Sequence, residues 1–424
     1  MKYEITPLPN PVRSEISIPP DKSISHRALI LSSIARGKSL IKNLLESQDT
    51  LSTLKILKHL GVNITRENNV WIVEGKGREG FREPPDVLDA ENSGTTARLL
   101  IGLLASLPLF CVITGDNSLR KRPMDRVIKP LTLMGGDIWA RENRFLPVAI
   151  RGKELQPITY TLPIPSAQVK SAIILAGLNT PGETVIEEPV SSRDHTERMI
   201  KYMGGSIKRE RKIIRVEKSE LEGREFVIPG DISSAAFFIT LALLIPESRI
   251  IMERVCLNPT RTGFLEILRE IGGRINILSQ EENWEIWGDI EVRGSELKPF
   301  RIGREDIPSL IDEIPLLALL GTQIEGISEI RGAEELRVKE SDRIHTTVEN
   351  LRILGADIEE LPDGMVIRGK TPLKGGKVYS FGDHRIAMML AIAGCISREK
   401  TVIEGMECVK ISYPSFLETL ESVR

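Results

Sequence analysis

The stretch LKHLGVNI, residues 57–64, decides the fold, because it joins the end of an amphipathic helix, a glycine turn and the start of a strand. The same pattern recurs along the 424-residue chain as LTLMGGDI, IKYMGGSI, LREIGGRI and LRILGADI. A glycine directly after a helix accepts the left-handed backbone that ends it. The first glycines lie roughly 70 to 80 residues apart, a longer period than that of the common solenoids. They are Gly61, Gly135, Gly204, Gly272 and Gly355.

A second, more apolar set of helical segments alternates with the first. Its six members begin DKSISHRALIL, NSGTTARLLIG, PSAQVKSAIIL, GDISSAAFFIT, PSLIDEIPLLA and FGDHRIAMMLA. Each is followed by strand-like residues. The C-terminal YPSFLETLESVR supplies a sixth amphipathic helix without its strand, and the N-terminal KYEITPL is a strand without its helix. We therefore expect the two termini to complete one repeat together.

Six repeats of helix, strand, helix and strands predict an α/β protein with two domains of three repeats each. A chain of this length ordinarily forms two domains as well. The chain should cross between them at EISIPPDK and FVIPGDIS, where a proline lies near an aspartate, as in many linkers. One domain would then contain residues 1–19 and 230–424, and the other residues 20–229.

The composition indicates a soluble globular protein. Hydrophobic residues make up 41% and charged residues 27%, and a net charge of only −2 gives no reason to expect nucleic acid or a membrane surface as a partner. The four cysteines show no CxxC spacing, which favours reduced thiols in a cytoplasmic protein. The start of the chain lacks the apolar centre of a signal peptide. We expect no metal and no organic cofactor, because no His, Cys or carboxylate cluster has metal-site spacing.

Basic side chains lie near many helix starts, where the helix dipole disfavours a cation by a few tenths to about 1 kcal/mol. Exposed backbone N–H groups next to arginines form anion sites. The repeated placement therefore predicts compensating negative charge from outside the chain. The basic residues are Lys22, Arg27, Arg98, Arg122, Arg126, Lys170, Arg193, Arg261, Arg343 and Arg385.

The segment LRVKESDRI, residues 336–344, has the densest charge of this kind. Ser341 is expected to cap the helix, with Arg343 in its first turn and Lys339 and Glu340 just outside. Asp342 is interpreted as the counter-ion of a neighbour. The alternative for such a charge run is a solvated helix face.

Other helix starts carry groups that could bind or react. ENSGTTARL offers hydroxyls and a backbone that a phosphate can approach closely, but it lacks the Walker pattern, so nucleotide binding is unsupported. Ser166, Gln168 and Ser171 are either ligands or ordinary caps. Asp312 and Glu313 are either a dipole-favoured helix start or proton carriers.

Seven segments, in order, resemble the signature segments of the 5-enolpyruvylshikimate-3-phosphate (EPSP) synthase family. They are DKSISHRA, NSGTTARL, KRPMDR, PSAQVKSA, RDHTERM, LRVKESDRI and GDHRIAM. The resemblance covers nearly the whole chain. It implies a two-domain inside-out α/β barrel of six βαβαββ repeats, with pseudo-threefold symmetry in each domain, that closes on ligands bound in the cleft between the domains.

The resemblance also implies the reaction. The enolpyruvyl group of phosphoenolpyruvate is transferred to the 5-hydroxyl of shikimate 3-phosphate and phosphate is released, a step of the shikimate pathway to aromatic amino acids. Residues implied to bind shikimate 3-phosphate are Ser23, Arg27, Ser166, Gln168 and Arg193. Residues implied to hold phosphoenolpyruvate are Lys22, Gly94, Arg122, Arg343 and Arg385, with Lys22 and Gln168 reaching both ligands.

Three residues are implied to carry the chemistry, with Asp312 and Lys339 surrounding the attacking hydroxyl. Asp312 would be the base toward this hydroxyl, helped by Lys22, and Glu340 would exchange a proton with the methyl carbon. Gly94 implies room beside phosphoenolpyruvate, as in family members sensitive to glyphosate, so we expect inhibition by glyphosate. We also expect a monomer, with small-molecule substrates as its only partners.

Two alternatives stand beside this interpretation. The related enzyme that transfers enolpyruvyl to UDP-N-acetylglucosamine shares the fold, but it typically has KN where this chain has Lys22-Ser23, and a cysteine before its RP motif, where GDNSLRKRPM has none. A repeat protein that only binds anions would release no phosphate from phosphoenolpyruvate. Lys410 lies four residues before Pro414, whereas the family's lysine lies three before, so its role as a ligand is not carried over.

Overall fold

The computed structural model describes residues 2–423. The helices are α1 Lys22–Ile34, α2 Gln48–His59, α3 Gly94–Ala105, α4 Asp125–Leu133, α5 Ala167–Gly177, α6 His195–Tyr202, α7 Ile232–Leu244, α8 Gly263–Glu270, α9 Ile307–Leu310, α10 Ile314–Gln323, α11 Arg343–Ile353, α12 His384–Ile396 and α13 Phe416–Ser422.

The strands of the first half of the chain are β1 Lys2–Ile5, β2 Arg13–Ser17, β3 Ala35–Lys42, β4 Asn63–Glu67, β5 Val70–Lys76, β6 Leu88–Asp89, β7 Phe110–Thr114, β8 Asp137–Arg141, β9 Phe145–Arg151, β10 Thr159–Thr161, β11 Glu183–Glu187, β12 Ile207–Glu210 and β13 Ile213–Glu217. Those of the second half are β14 Leu221–Glu222, β15 Glu225–Val227, β16 Arg249–Cys256, β17 Arg274–Ile277, β18 Glu281–Glu282, β19 Ile286–Arg293, β20 Arg301–Ile302, β21 Gly326–Ile330, β22 Asp357–Leu361, β23 Gly364–Gly369, β24 Gly376–Tyr379 and β25 Thr401–Glu404.

Two compact units divide the chain. The described residues up to Pro19 and those from Pro229 onward form the terminal unit, and Pro20–Ile228 form the central unit. No helix in the described range 2–423 is both long and apolar enough to span a bilayer.

The central unit contains three sheets, with strand orders β14-β3-β5-β4, β6-β7-β9-β8 and β10-β11-β13-β12, and β15 also pairs with β3. Each sheet combines parallel and antiparallel pairings. Helices α1, α3 and α5 are buried along most of their length and fill the core. Helices α2, α4 and α6 bury one face only.

The terminal unit repeats this plan, with strand orders β17-β19-β16-β2, β20-β21-β23-β22 and β1-β25-β24, and β18 pairs with β19. Its buried helices are α7, α10 and α12. The runs β6 to β9 and β10 to β13 each read βαβαββ, and the run β20 to β23 follows the same order with two consecutive helices, α9 and α10, after its first strand. The α/β fold of six such repeats predicted from the sequence is therefore confirmed.

Distant segments supply strands to the remaining repeats. β1 pairs antiparallel with β25, with Lys2 opposite Glu404, so strands near both chain ends share one sheet. Strands β14 and β15 pair with β3, and β2 pairs with β16, all in parallel. Parallel neighbours require long connections, which here consist of most of a unit.

The five glycine turns form as predicted. Each first glycine has a left-handed backbone, with φ between 85° and 104°. After α2, the N–H of Gly61 donates to the carbonyl of Lys58 and the N–H of Val62 to that of Leu57, both at 3.0 Å. This pair of bonds is a Schellman motif, and the same pair closes α4, α6, α8 and α11. These turns set the angle at which each helix leads into its strand.

Candidate active site

Two arginines of the central unit surround the start of α1. Asp21 caps this helix by accepting the N–H of Ile24 at 2.8 Å, so Ser23 and Arg27 lie one turn apart on the same face. The buried Arg27 donates Nη1 to the carbonyl of Ser23 at 2.9 Å, and Nη1 of Arg193 lies 3.5 Å from Oγ of Ser23. The structure thus brings together three residues implied to bind shikimate 3-phosphate.

Hydroxyl groups hold Arg27 in place. Its Nε donates to Oγ1 of Thr196 at 2.7 Å and its Nη2 to Oγ of Ser171 at 3.0 Å. With the carbonyl of Ser23, Arg27 therefore donates to three uncharged oxygens. Thr196 was not predicted, because it comes from α6, far along the chain.

A second group forms around the start of α3. Gly94 is the first helical residue after the cap Ser93. Gln168 accepts a hydrogen bond from Nη1 of Arg98 at 2.6 Å and donates one to Oγ1 of Thr95 at 3.0 Å. Nη2 of Arg122 donates to Oδ1 of Asn92 at 3.1 Å.

The glycine at position 94 lets two guanidinium groups approach the backbone. A Cβ added there would lie 2.9 Å from Nη1 of Arg98 and 3.3 Å from Nη1 of Arg122. Gly94, Arg122 and Gln168, implied by the resemblance, are therefore neighbours. Arg98 joins them, although only its position near a helix start had been noticed.

Lys22 is held by a carboxylate that the sequence did not reveal. Its Nζ lies 3.0 Å from Oδ2 of Asp49, and both side chains are mostly buried, with 15% and 8% exposure. Asp49 lies in the first turn of α2, where the helix dipole favours an acid. A structural role was thus the obvious interpretation, and no local pattern distinguishes Asp49 from other such acids.

Buried hydroxyl groups connect these helix starts. Nδ1 of His26 lies 2.7 Å from Oγ1 of Thr53, which lies 2.6 Å from Oγ1 of Thr96, which donates to Oγ of Ser93 at 2.7 Å. Burial and the nearby cations Lys22 and Arg27 lower the pKa of His26 well below its ordinary value. A neutral His26 therefore ends a chain that runs to the cap of α3.

Ser166 caps α5 by accepting the N–H of Val169 at 3.4 Å. The capping interpretation of this residue is therefore realised. Ser166 is nevertheless partly exposed and lies two residues before Gln168. Its hydroxyl hydrogen remains able to donate to a ligand.

The expectation that basic helix starts are balanced from outside the chain is wrong at five positions, where a carboxylate of this chain forms the ion pair: Lys22, Lys170, Arg261, Arg343 and Arg385. Lys170 and Arg261 are the two that no implied substrate contact accompanies. Nζ of the buried Lys170 lies 3.1 Å from Glu188 and 2.8 Å from Glu197. Nη2 of the buried Arg261 lies 3.2 Å from Asp231. In both cases another segment of the same unit brings the carboxylate.

The terminal unit gathers two of the three implied catalytic residues, Asp312 and Glu340, around Arg343. This buried side chain lies 3.3 Å from Asp312, 2.6 Å from Glu340 and 2.8 Å from Asp383. Burial alone would lower the pKa of Arg343, but Asp383, Glu340 and Asp312 hold it above its ordinary value. Asp383 was not predicted; its position before His384 and Arg385 suits a helix cap, which it also is.

Two further cations complete this group. Nη2 of Arg385 lies 3.3 Å from Oδ2 of Asp312, so the carboxylate of Asp312 bridges two arginines. Burial lowers the pKa of Lys339 to about 8, against the opposing effect of Asp312 and Glu340 and with the help of Arg343. These six residues, counting Asp383, therefore share one electrostatic environment.

The cap of α11 differs from the prediction. Asp342, not Ser341, is the cap and accepts the N–H of His345 at 3.0 Å. Asp342 also pairs with Arg337 at 2.7 Å, so its interpretation as a counter-ion is confirmed. The hydroxyl of Ser341 donates to Asp383 at 3.1 Å. Arg343 is accordingly the first helical residue.

Asp312 and Glu313 occupy different surroundings. The carboxylate of Asp312 faces arginines, whereas the buried Glu313 accepts a hydrogen bond from the hydroxyl of Ser233. Burial and the charge of Asp312 raise the pKa of Glu313. Within residues 2–423, no three His, Cys, Asp or Glu side chains are grouped as a metal ion would require. The ion pairs of Asp312 and Glu340 with arginines suit oxyanion binding together with proton transfer by carboxylates.

Comparison with known proteins agrees with this chemistry. Residues 7–420 match the family model for EPSP synthase (3-phosphoshikimate 1-carboxyvinyltransferase). The chain is 50% identical to the 3-phosphoshikimate 1-carboxyvinyltransferase of Petrotoga mobilis over the whole of both chains. It is also 50% identical to that of Persephonella marina, over 97% of both chains. A solved EPSP synthase from Acinetobacter baumannii aligns with a TM-score of 0.88 at 39% identity, covering 100% of this chain and 98% of that one.

Proposed function

Because this chain belongs to the EPSP synthase family of 3-phosphoshikimate 1-carboxyvinyltransferases, we propose that its two groups of charged residues act on one pair of substrates. The enzyme transfers the enolpyruvyl group of phosphoenolpyruvate to shikimate 3-phosphate, as its relatives' name states. In the proposal, residues 1–19 with 230–424 and residues 20–229 form the two domains that contribute these groups.

Shikimate 3-phosphate is assigned to the central unit. Ser23 and Arg27 bind its carboxylate, Ser166 and Arg193 its phosphate, and Gln168 lies against the ring. The hydroxyl bonds that fix Arg27 support this assignment, because a pre-oriented guanidinium grips a carboxylate bidentately with little further loss of entropy.

Phosphoenolpyruvate is assigned to Lys22, Gly94 and Arg122, together with Arg343 and Arg385. The absent side chain at position 94 supports this, since it leaves the guanidinium of Arg122 and the first turn of α3 open to a phosphate. Arg343 and Arg385 are already paired with Asp312. An incoming carboxylate therefore competes with Asp312 for the same two guanidinium groups.

That competition is the observation on which the proposed mechanism rests. When the ligand's carboxylate pairs with Arg343 and Arg385, the carboxylate of Asp312 is released from them. It can then take the proton of the 5-hydroxyl of shikimate 3-phosphate, helped by the cation of Lys22 and beside that of Lys339. Ligand binding thus prepares the base.

The bonds of the reaction change in two steps. The 5-oxygen adds to C2 of phosphoenolpyruvate while Glu340 delivers a proton to C3, which gives a tetrahedral intermediate with a methyl group. Glu340 then removes a methyl proton, the double bond re-forms, and the bond between C2 and the phosphate oxygen breaks. The proton that Asp312 took from the 5-hydroxyl leaves with the released phosphate. Glu340 lies 2.6 Å from Arg343, so the same arginine orients the acid and binds the substrate.

Phosphate release in the presence of both substrates is the direct test. A coupled assay for inorganic phosphate should give a signal that needs shikimate 3-phosphate and phosphoenolpyruvate together. Asp312→Asn should lower turnover by about 10²- to 10⁴-fold, the usual contribution of a positioned base. It should bind phosphoenolpyruvate at least as tightly as the wild type, because the internal competitor is gone.

Two outcomes would contradict the proposal. Phosphate release from phosphoenolpyruvate alone would remove the acceptor hydroxyl from the reaction. An Asp312→Asn variant with near-normal turnover would exclude Asp312 as the base. Glu335→Gln, a partly buried acid close to Lys339, serves as the matched control for charge loss.

We also propose that the protein is a cytoplasmic monomer. The four cysteines are free and buried, which suits a reducing compartment. Light scattering during size-exclusion chromatography should give a mass near 47.3 kDa. A mass near twice that value would contradict the monomer.

A further inference from the structure

A row of four arginines crosses one sheet of the terminal unit whose strands contain none of the residues assigned above. In the sheet β17-β19-β16-β2, Arg274 is opposite Arg293, Arg293 is opposite Arg249, and Arg249 is opposite Arg13. Residues in register on neighbouring strands point to the same face. The row therefore places four guanidinium groups side by side over three strand spacings, about 14 Å.

Such a row is unfavourable on its own, since like charges directly opposite each other destabilise a sheet. One internal carboxylate offsets part of this. Glu291, whose side chain is 5% exposed, lies 2.6 Å from Arg249 and 3.0 Å from Arg293. It orients the two central arginines, as a supporting carboxylate does in many anion sites.

The two outer arginines lack this support. Among residues 2–423, neither Arg13 nor Arg274 forms an ion pair, and Arg274 donates from Nη2 to the carbonyl of Gly294. All four arginines line a pocket with a volume of about 670 Å³, within the usual range for small-molecule sites. Two carboxylates, Glu15 and Glu247, also line it and oppose an anion.

We propose that this pocket binds a small anion with two or three linked phosphate groups. A single phosphate would reach at most two neighbouring arginines, whereas a linked pair or triplet matches the length of the row. Guanidinium forks grip phosphate oxygens bidentately and keep their charge at any physiological pH. The pocket's own carboxylates make the binding moderate in strength and dependent on salt.

The test uses the full chain and tripolyphosphate as the probe, without divalent cations. Calorimetric titration and thermal melting are compared with sodium chloride at equal ionic strength. The wild type should bind and melt higher in tripolyphosphate, and Arg13→Gln should bind about tenfold more weakly, as expected when one charge-assisted phosphate contact is lost. Glu15→Gln should bind more tightly.

Matched controls separate this site from the active site. Arg368→Gln removes an exposed arginine that pairs with Glu359 on another sheet of the same unit, and it should bind as the wild type does. Arg13→Gln should keep the wild-type KM for both substrates, since Arg13 belongs to neither substrate group. If the phosphate-release assay contradicted the proposed function, the expected tripolyphosphate binding by the wild type and the variants would stay the same.

Three results would overturn the inference. The first is equal stabilisation by tripolyphosphate and by sodium chloride. The second is equal binding by wild type and Arg13→Gln. The third is a lower melting temperature of unliganded Arg13→Gln than of the wild type, because the row would then stabilise the sheet without any ligand.

Discussion

Replacing Gly94 by alanine should weaken phosphoenolpyruvate binding without weakening the fold. The new Cβ would lie 2.9 Å from Nη1 of Arg98, so this nitrogen must retreat by about 0.5 Å to reach an ordinary contact. Nη1 of Arg122, at 3.3 Å, needs only a slight adjustment. The guanidinium of Arg98 is the group that has to move.

The free-energy cost of moving Arg98 depends on the two hydrogen bonds that its guanidinium donates. Its Nη1 donates to Gln168 at 2.6 Å and its Nη2 to the carbonyl of Pro123 at 3.1 Å. A charge-assisted hydrogen bond contributes about 1.5–3 kcal/mol, so its partial loss should cost about 1 kcal/mol. This corresponds to about a fivefold rise in KM for phosphoenolpyruvate.

The backbone conformation at position 94, in contrast, favours alanine over glycine. Gly94 is not among the residues with positive φ, so alanine fits the first turn of α3 and should stabilise the fold by about 0.4–1 kcal/mol. This gain is about as large as the cost of displacing Arg98, so the melting temperature should stay close to that of the wild type while KM for phosphoenolpyruvate rises. Inhibition by glyphosate should weaken too, because the inhibitor is expected to need the same space.

Steady-state kinetics with each substrate varied in turn and a thermal melt test this reasoning. KM for shikimate 3-phosphate should change less than KM for phosphoenolpyruvate, and Gly94→Ser should exceed Gly94→Ala in effect. Unchanged KM for phosphoenolpyruvate with unchanged glyphosate inhibition would refute the steric argument. A large fall in melting temperature would show that the Cβ disturbs packing instead.

Three further predictions concern Lys339, Thr96 and Lys170. The pKa of Lys339 is lowered to about 8, so kcat/KM should fall as pH rises past about 8, and Lys339→Arg, which keeps its charge, should flatten this limb of the pH profile. Thr96→Val leaves the hydroxyls of Thr53 and Ser93 without their shared partner, so urea unfolding should show a loss of about 1–3 kcal/mol, with a larger rise in KM for phosphoenolpyruvate than for shikimate 3-phosphate. Lys170→Met removes the closest cation from the buried Glu188 and Glu197, and denaturant titration should show a loss of about 3–5 kcal/mol, whereas an effect below about 1 kcal/mol would mean that Arg209, 3.5 Å from each, neutralises both carboxylates.

The sign of the Lys339 effect extends to stability. Its folded-state pKa of about 8 lies below the ordinary value of 10.5, so the folded protein binds fewer protons than the unfolded chain between these pH values. Stability attributable to this group therefore increases with pH across that window. As Lys339 loses its proton above about pH 8, activity should therefore fall while the stability contributed by this group rises.

The features predicted best from the sequence are those that depend on adjacent residues. A Schellman turn needs only a helix end and a glycine, so positions such as Gly61 and Gly355 were identified correctly. The cap of α11 was missed by one residue, because Ser341 and Asp342 are both good caps and only the surrounding contacts decide between them.

Long-range partners could not be predicted. Asp49 lies 27 residues from Lys22 and Asp383 lies 40 from Arg343, and neither distance produces a periodic signal. The pairing of β14 and β15 with β3 joins residues more than 180 positions apart. A sequence pattern indicates which side chains need a partner, while the fold decides which segment provides it.

The chemical nature of the helix cap explains where the charges of nearby arginines are balanced. The caps of α3 and α5 are the neutral side chains of Ser93 and Ser166. Arg98 of α3 donates to the side-chain oxygen of Gln168 in α5 and to the backbone carbonyl of Pro123. The caps of α7 and α12 are Asp231 and Asp383, which pair with Arg261 and Arg343. At α7 and α12 the aspartate cap therefore satisfies a helix start and an arginine at once, whereas a serine cap adds no negative charge beside the first turn of its helix. Ser93→Asp should accordingly keep α3 capped but reduce the affinity for phosphoenolpyruvate. An unchanged affinity would show that the charge of the cap does not influence ligand binding.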